Sequence, residues 1–268
     1  MKRTAPLLAI TAVLALALSA CGSSTTGSET SGATDENLLQ HVESSGVLTV
    51  GTEGTYRPFS YHEADKLTGF DVEVIEAVGE QLGVKVEFQE TQWDGIFAGL
   101  EAGRFDVIAN QVSVTPEREE KYLLSKPYNY SSGVIVTKSD NTEITSFDSL
   151  KGKTTAQSLT SSFHDDAKAA GAKIQAVEGW AQAVTLLKQG RVDATINDKL
   201  TYLDSQKTNP DDGIKISAES EEKTETVVAL KKDQPELRDA INGALDELSA
   251  DGTLTKISEK YFGEDITK

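Results

Sequence analysis

The sequence is poor in the groups that most enzymes rely on. Among its 268 residues there is one cysteine, Cys21, and three histidines, His41, His62 and His164, set far apart. No His/Cys group has metal-ligand spacing, so neither a metal nor a cofactor is expected. No Gly-x-Ser-x-Gly elbow and no phosphate-cradling glycine loop occurs. Positive charge is also scarce: 26 Lys and Arg face 43 Asp and Glu, for a formal net charge of −17. That balance excludes nucleic-acid binding through a basic face and reads as a solvated, soluble surface. Long apolar runs are missing except at the start, yet 38% of residues are hydrophobic, enough for an ordinary core. The length suits one large domain or two modest ones.

What is present begins with "MKRTAPLLAITAVLALALSAC". Lys2 and Arg3 precede an apolar run from Leu7 to Leu18, then small residues. The run is short for a membrane span and reads as a secretory signal over residues 1–20. The ending "LSAC" resembles the lipobox of bacterial lipoproteins, in which the cysteine is lipidated and becomes the first mature residue. Lipidation would also explain why an exported chain carries a single, unpaired thiol. A plain signal peptide with an incidental cysteine is the alternative. After Cys21 comes "GSSTTGSETSGATDEN", rich in Ser, Thr and Gly. It reads as a flexible tether, with segment 21–45 leading to a body that starts near residue 46.

The body alternates strand and helix patterns. "GVLTVGT" reads as a strand. "FDVEVIEAVGEQLG" reads as a helix, with Val74, Val78 and Leu82 on one stripe. "VKVEFQE", "FDVIAN" and "SGVIVTKS" are further strands, separated by the helical "WDGIFAGLEAGR" and "TPEREEKYLL". A second series follows with the same grammar, from "LKGKTTAQS" through "SSFHDDAKAAG", "AKIQAVE", "WAQAVTLLKQG" and "RVDATIND" to "LTYLDSQK". "TETVVALKK" gives one more strand, before helices over "PELRDAINGALDELSADG" and "TLTKISEKYFG". Two α/β lobes are expected, each with a mainly parallel sheet covered on both faces. Ligands in such folds sit beyond the strand ends and between domains. The polar strand ends "GTEGTY", "ANQVS", "QSLTSS" and "IND" are therefore candidates for one shared cleft.

One feature inside "ANQVSVTPER" points to what the cleft holds. Thr115 and Pro116 suit a helix start. Arg118 follows at once, where a cation is disfavoured by the helix dipole unless an anion faces it. A surface arginine paired with Glu117 or Glu119 is the plainer alternative. Asp71 and Glu73 in "GFDVEV", and Asp94, read as acids that complement helix starts.

These pieces resemble the bacterial solute-binding proteins for polar amino acids, the external receptors of ABC importers. The resemblance runs from about Gly46 to Phe262, through "VGTEGTYRPFSY", "GFDVEV", "WDGIFAGLEAGRFDVI", "SVTPERE", "SKPY", "LKGK" and "GRVDATIND". "GTEGTYRPFSYH", "ANQVSVTPER", "AQSLTSS" and "NDKLTYLD" are most similar to its cystine-binding branch. The resemblance implies an α/β, two-lobe periplasmic-binding-protein-like fold of type II with the ligand cleft between the lobes. Lobe 1 would take residues 46–131 and 230–268, and lobe 2 residues 135–224, with hinge crossings near 130–136 and 223–230. It implies that Arg118 clamps a ligand carboxylate through its planar fork. Ser113, Ser161 and Ser162 would add donors. Asp198 would hold the α-ammonium, with Asn110 and Gln111 nearby. Glu53 and Tyr56 would face the ligand side chain, and Trp93 and Phe59 would supply apolar walls. Asp198 is also compatible with a helix cap, Trp93 with core packing, and Glu53 with a turn. Many members carry a glycine where this chain has Thr160, Ser161 and Ser162.

The function implied is capture of an amino acid, L-cystine first, by a lipid-anchored monomer outside the cell membrane, and delivery to an ABC permease. A cationic amino acid is the alternative ligand, because Glu53 could meet its side chain. An enzyme on the same scaffold, such as a dehydratase, would need Glu53 as its acid or base.

Overall fold

The computed structural model describes residues 37–268. The expected signal segment and the lipidation of Cys21 lie outside the described residues. Helix α1 (Leu38–Ser45) comes first, capped by Asn37, whose side chain accepts the Gln40 backbone N–H at 3.0 Å. Val42 of this helix is fully buried in the lobe 1 core. The expectation of a tether through residue 45 is therefore corrected: residues 38–45 are part of the folded body, because Leu38, Leu39 and Val42 pack on the lobe 1 core.

Strand β1 (Val47–Thr52) leads into a meander of β2 (Thr55–Tyr56), β3 (Ser60–Glu63) and β4 (Lys66–Thr68), which form a small separate sheet. Then follow α2 (Phe70–Leu82), β5 (Lys85–Glu90), α3 (Trp93–Glu101), β6 (Val107–Ser113), α4 (Pro116–Lys121), β7 (Tyr122–Leu124) and β8 (Asn129–Lys138). The second lobe holds β9 (Thr154–Gln157), α5 (Ser162–Ala169), β10 (Lys173–Ala176), α6 (Trp180–Lys188), β11 (Ala194–Asp198) and α7 (Lys199–Thr208). Strand β12 (Ile214–Lys231) returns the chain to α8 (Pro235–Ala250) and α9 (Thr253–Phe262).

The main strands form one sheet in the order β10-β9-β11-β8-β12-β6-β1-β5, with β7 beside β12. Pairing is parallel where βαβ units wind, at β1 with β5 and β6 and at β9 with β10 and β11. It is antiparallel at β8–β11, β8–β12 and β6–β12. The mainly parallel expectation is corrected to a mixed sheet. The reason is connectivity: the chain enters lobe 2 along β8 and must return along β12, so these neighbours run in opposite senses. Alternation along β8 feeds two cores, with Val134 and Val136 on the α6 side and Ile135 on the α5 side. In lobe 1, Ile75, Val78, Ile241 and Leu245 of α2 and α8 cover one face, and Ile96 and Leu100 of α3 the other. Among the described residues, no helix is long and apolar enough to cross a membrane.

Gly69 sets the start of α2. Its φ is 134°, and a Cβ there would lie 2.2 Å from the Phe59 carbonyl oxygen. Only glycine lets the chain pass this close, and Asp71 is thereby delivered beneath the strand ends.

Candidate ligand site in the cleft

Carboxyl ends of parallel strands collect side chains where the lobes face each other. From lobe 1 the cavity wall takes Glu53, Tyr56, Trp93, Asn110, Gln111 and Ser113. From lobe 2 it takes Gln157, Ser161, Ser162, Glu178, Trp180 and Asn197, among others. Among the described residues, no Lys or Arg lines this cavity.

The lobe 1 wall is fixed by its own hydrogen bonds. Asn110 Oδ1 accepts from the Thr52 hydroxyl and the Glu53 backbone N–H, both at 2.8 Å, and its Nδ2 donates to Glu53 Oε2 at 2.8 Å. Burial pushes the Glu53 carboxyl up to about 7, against the Asn110 hydrogen bond, and the charges of Asp94 and Glu178 push the same way. Gln111 is a non-glycine residue in the left-handed region, with φ 51°. The Tyr56 hydroxyl donates across the cleft to Asn197 Oδ1 at 3.0 Å. Two buried donors on the walls, Trp93 Nε1 and Gln157 Nε2, have no partner among the described residues. One comes from each lobe. A buried donor left unpaired is costly, and an acceptor brought within reach would relieve both.

Ser161 caps α5, accepting the His164 N–H at 3.1 Å, and Ser162 opens the helix. The Ser162 hydroxyl donates to Ser113 Oγ at 3.2 Å, joining the lobes. Asp94, at the start of α3, accepts the Thr160 N–H at 3.0 Å and its hydroxyl at 2.9 Å, plus the Leu159 N–H at 3.3 Å. Arg57 Nε bonds Asp204 at 3.2 Å. The lobes are drawn together on both sides of the cavity.

Three residues expected at the ligand do not line this cavity. Arg118 does not line the cavity. Its Nη1 donates to the Ser113 carbonyl at 2.9 Å and its Nη2 to the Thr160 carbonyl at 3.1 Å. The guanidinium stands over Trp93 and Phe97, 5.4 and 5.2 Å from the ring centroids, and lines an adjoining pocket with Tyr122, Leu159 and Asp165. Burial lowers its pKa to about 10, so it stays charged at neutral pH. Asp198 caps α7, accepting the Leu200 N–H at 2.7 Å and the Ser131 hydroxyl at 2.8 Å, and its neighbour Asn197 takes the place on the wall. Burial raises Asp198 to about 6, opposed by those same hydrogen bonds. Phe59 is fully buried in the lobe 1 core against Tyr56 and Phe262, because the meander turns it away from the cleft.

Gln157 and Asn197 lie in the strand ends "QSLTSS" and "IND" expected at the cleft, whereas Glu178 and Trp180 were not expected there. A signal existed for Trp180: "EGWAQA" repeats in lobe 2 the helix-opening tryptophan of "TQWDGI" in lobe 1.

A model of the bacterial extracellular solute-binding proteins, family 3, matches residues 48–264. The chain is 51% identical over 265 residues to the L-cystine-binding protein TcyA of Bacillus subtilis (strain 168), with 98% of each covered. It is 50% identical to the L-cystine solute receptor of Neisseria gonorrhoeae, solved unliganded and open, with 86% of this chain and 99% of that one covered and a TM-score of 0.58. An ancestral arginine-binding protein bound to arginine is 39% identical, with 81% and 99% covered and a TM-score of 0.76. The less identical, ligand-bound protein superposes better than the more identical open one. That order agrees with the interlobe hydrogen bonds, which make the present arrangement a closed one.

Proposed function

We propose, because the chain belongs to the bacterial extracellular solute-binding proteins of family 3, that it captures L-cystine outside the cell membrane and delivers it to an ABC permease. The observation that carries the choice of ligand is the make-up of the cavity wall. Glu53 and Glu178 supply negative charge with no Lys or Arg beside them on the wall, and Trp93 Nε1 and Gln157 Nε2 are donors without a partner, among the described residues. A ligand carrying both an ammonium and a carboxylate beyond its first amino-acid head answers both needs. L-Cystine has that second head, and its disulfide would lie against the faces of Tyr56, Trp93 and Trp180. The first carboxylate would meet the hydroxyls of Ser113 and Ser162 at the α5 N-terminus. Arg118 would join it by exchanging its carbonyl partners for a bidentate carboxylate.

The permease reads the closed shape, and the ligand favours closure because only the closed cleft pairs both kinds of charge. Arginine is the second reading, favoured by the same Glu53 and Glu178. The chain acts without catalysis: Glu53 is held by Asn110 to pair a cation, and ligand recovered after prolonged incubation should be unchanged. The protein is a monomer, anchored through lipid on Cys21. A Cys21→Ala precursor should be released from membranes; retention as firm as that of the unaltered chain would overturn the anchor. Titration of refolded, ligand-free protein with cystine, arginine and glutamine tests the ligand.

A further inference from the structure

The "GFDVEV" motif has a role that the helix dipole does not cover. Asp71 is 1% exposed. Its Oδ2 accepts the Gln111 backbone N–H and its Oδ1 accepts the Gln111 side-chain amide, both at 2.7 Å. Both bonds are short, and both are charge-assisted once the carboxyl is ionised.

Gln111 stands in a bulge of β6. Between the pairs Val112–Val227 and Ile108–Ala229, β6 carries Ala109, Asn110 and Gln111, whereas β12 carries only Val228. In a regular strand adjacent side chains point to opposite faces. Here Asn110 and Gln111 both line the cavity, and so does Ser113. A bulge with a left-handed residue is the device that allows this. The left-handed conformation is strained for any residue but glycine and persists only where its surroundings hold it. The bulge also removes the Gln111 N–H from the strand ladder, and Asp71 replaces the lost partner. The Gln111 amide reaches further, accepting from Thr226 of β12 at 3.1 Å and donating to Asn129 of β8 at 3.3 Å. Those are the two strands that cross between the lobes.

We infer that Asp71 is a positioning residue of the ligand cavity: it holds the left-handed bulge at Gln111 that turns Asn110, Gln111 and Ser113 onto one wall. The inference rests on the reading that this cavity takes an amino acid. Asp71 does not touch the cavity. Asparagine in its place would offer one acceptor where two donors arrive, and an N–H₂ group against the Gln111 amide.

The test combines Asp71→Asn, Gln111→Gly and Gln111→Val, with L-cystine, L-arginine and L-glutamine as probes in calorimetric titration. Gln111→Gly and Gln111→Val both delete the amide, but only glycine accepts the left-handed backbone. Asp71→Asn should weaken binding of whichever probe binds best by about tenfold or more, and by less than about threefold in the Gln111→Gly background, where no strain needs holding. Gln111→Val should bind at least about tenfold more weakly than Gln111→Gly. Equal affinities for those two variants, or the same loss from Asp71→Asn in both backgrounds, would overturn the assignment. If the unaltered protein binds none of the probes, the amino-acid reading fails, and crystal structures of the unaltered protein and Asp71→Asn still decide the inference. A rebuilt 109–111 segment with Asn110 off the wall supports it; an unchanged bulge overturns it.

Discussion

The two walls of the cleft are built by different means. The lobe 1 wall is tied to itself: Asn110 grips Glu53 and Thr52, and Asp71 grips Gln111. The lobe 2 wall is the first turn of α5 and the strand ends beside it, and its bonds to lobe 1 exist only while the lobes meet, as at Ser162–Ser113, Asn197–Tyr56 and Thr160–Asp94. The lobe 1 wall is thus held in place by bonds that do not depend on lobe 2. Lobe 2 brings groups of both kinds, the Ser162 hydroxyl as donor and Asn197 Oδ1 as acceptor, that meet lobe 1 on closure. A receptor divided in this way can let a ligand dock on one half and be sealed by the other.

The comparison can be broken at its centre by Arg118, whose guanidinium ties the lobes together through the carbonyls of Ser113 and Thr160. Arg118→Ala should weaken amino-acid binding by about a hundredfold or more, since charge-assisted bidentate bonds are among the strong ones. Calorimetry reads the loss, and circular dichroism should show the body still folded. Normal affinity would remove the clamp from the account.

Glu53 sharpens the lobe 1 half. Glu53→Gln should cost about tenfold in affinity for cystine and arginine at pH 8, because a buried ammonium loses its charged partner. The same residue gives the pH dependence a sign. In the ligand-free cleft Glu53 lies at about 7, raised from an ordinary 4.5. An arriving ammonium favours the ionised form, so binding should release a proton between those values. Affinity should rise from pH 5 to pH 7 and then level off, and Glu53→Gln should flatten the profile. Proton release is read by titrating in buffers of different ionisation enthalpy.

Both lobes also carry buried acids whose raised pKa values link pH to stability. Glu53 and Asp71 lie at about 7 and Asp198 at about 6, all because of burial. The native state therefore holds more protons than the unfolded chain between about pH 4 and 7, and stability falls as pH rises through that window. Ligand-free protein should melt higher at pH 5.5 than at pH 8; a melting temperature that climbs with pH would contradict these environments.

Asp94 tests the lobe 2 half with the smallest effect. Asp94→Ala removes the bonds to Leu159 and Thr160. It should speed ligand release by about threefold to tenfold while leaving association nearly unchanged, because it loosens closure and not docking. Stopped-flow fluorescence of Trp93 and Trp180 follows both rates.

The fold was readable where periodicity was strong, as along Val74, Val78 and Leu82 of α2, and where helix-glycine-strand units recurred. The meander of β2 to β4 was not, since strands so short carry no pattern. Nor was the fusion of both lobes into one mixed sheet, which depends on β8 and β12 meeting late in the chain. In the cleft, polar residues at strand ends could be placed on the wall, because topology alone brings Glu53, Asn110, Ser113 and Ser161 together. The reach of a long side chain could not. Arg118 ends on two carbonyls, one of them 42 residues away. Asp71 read as a helix-dipole acid because its partner, Gln111, lies 40 residues on.

The most direct test of the account is titration of the protein from Gly22 onward, unfolded and refolded to strip carried-over ligand, with L-cystine beside arginine, lysine, histidine, glutamine and glutamate. The account predicts one tight site for L-cystine with proton release near pH 6, and weaker binding of the cationic amino acids. Tight binding of arginine alone would move the ligand assignment to the second reading, and no binding of any amino acid, or chemical change of the ligand, would contradict the account.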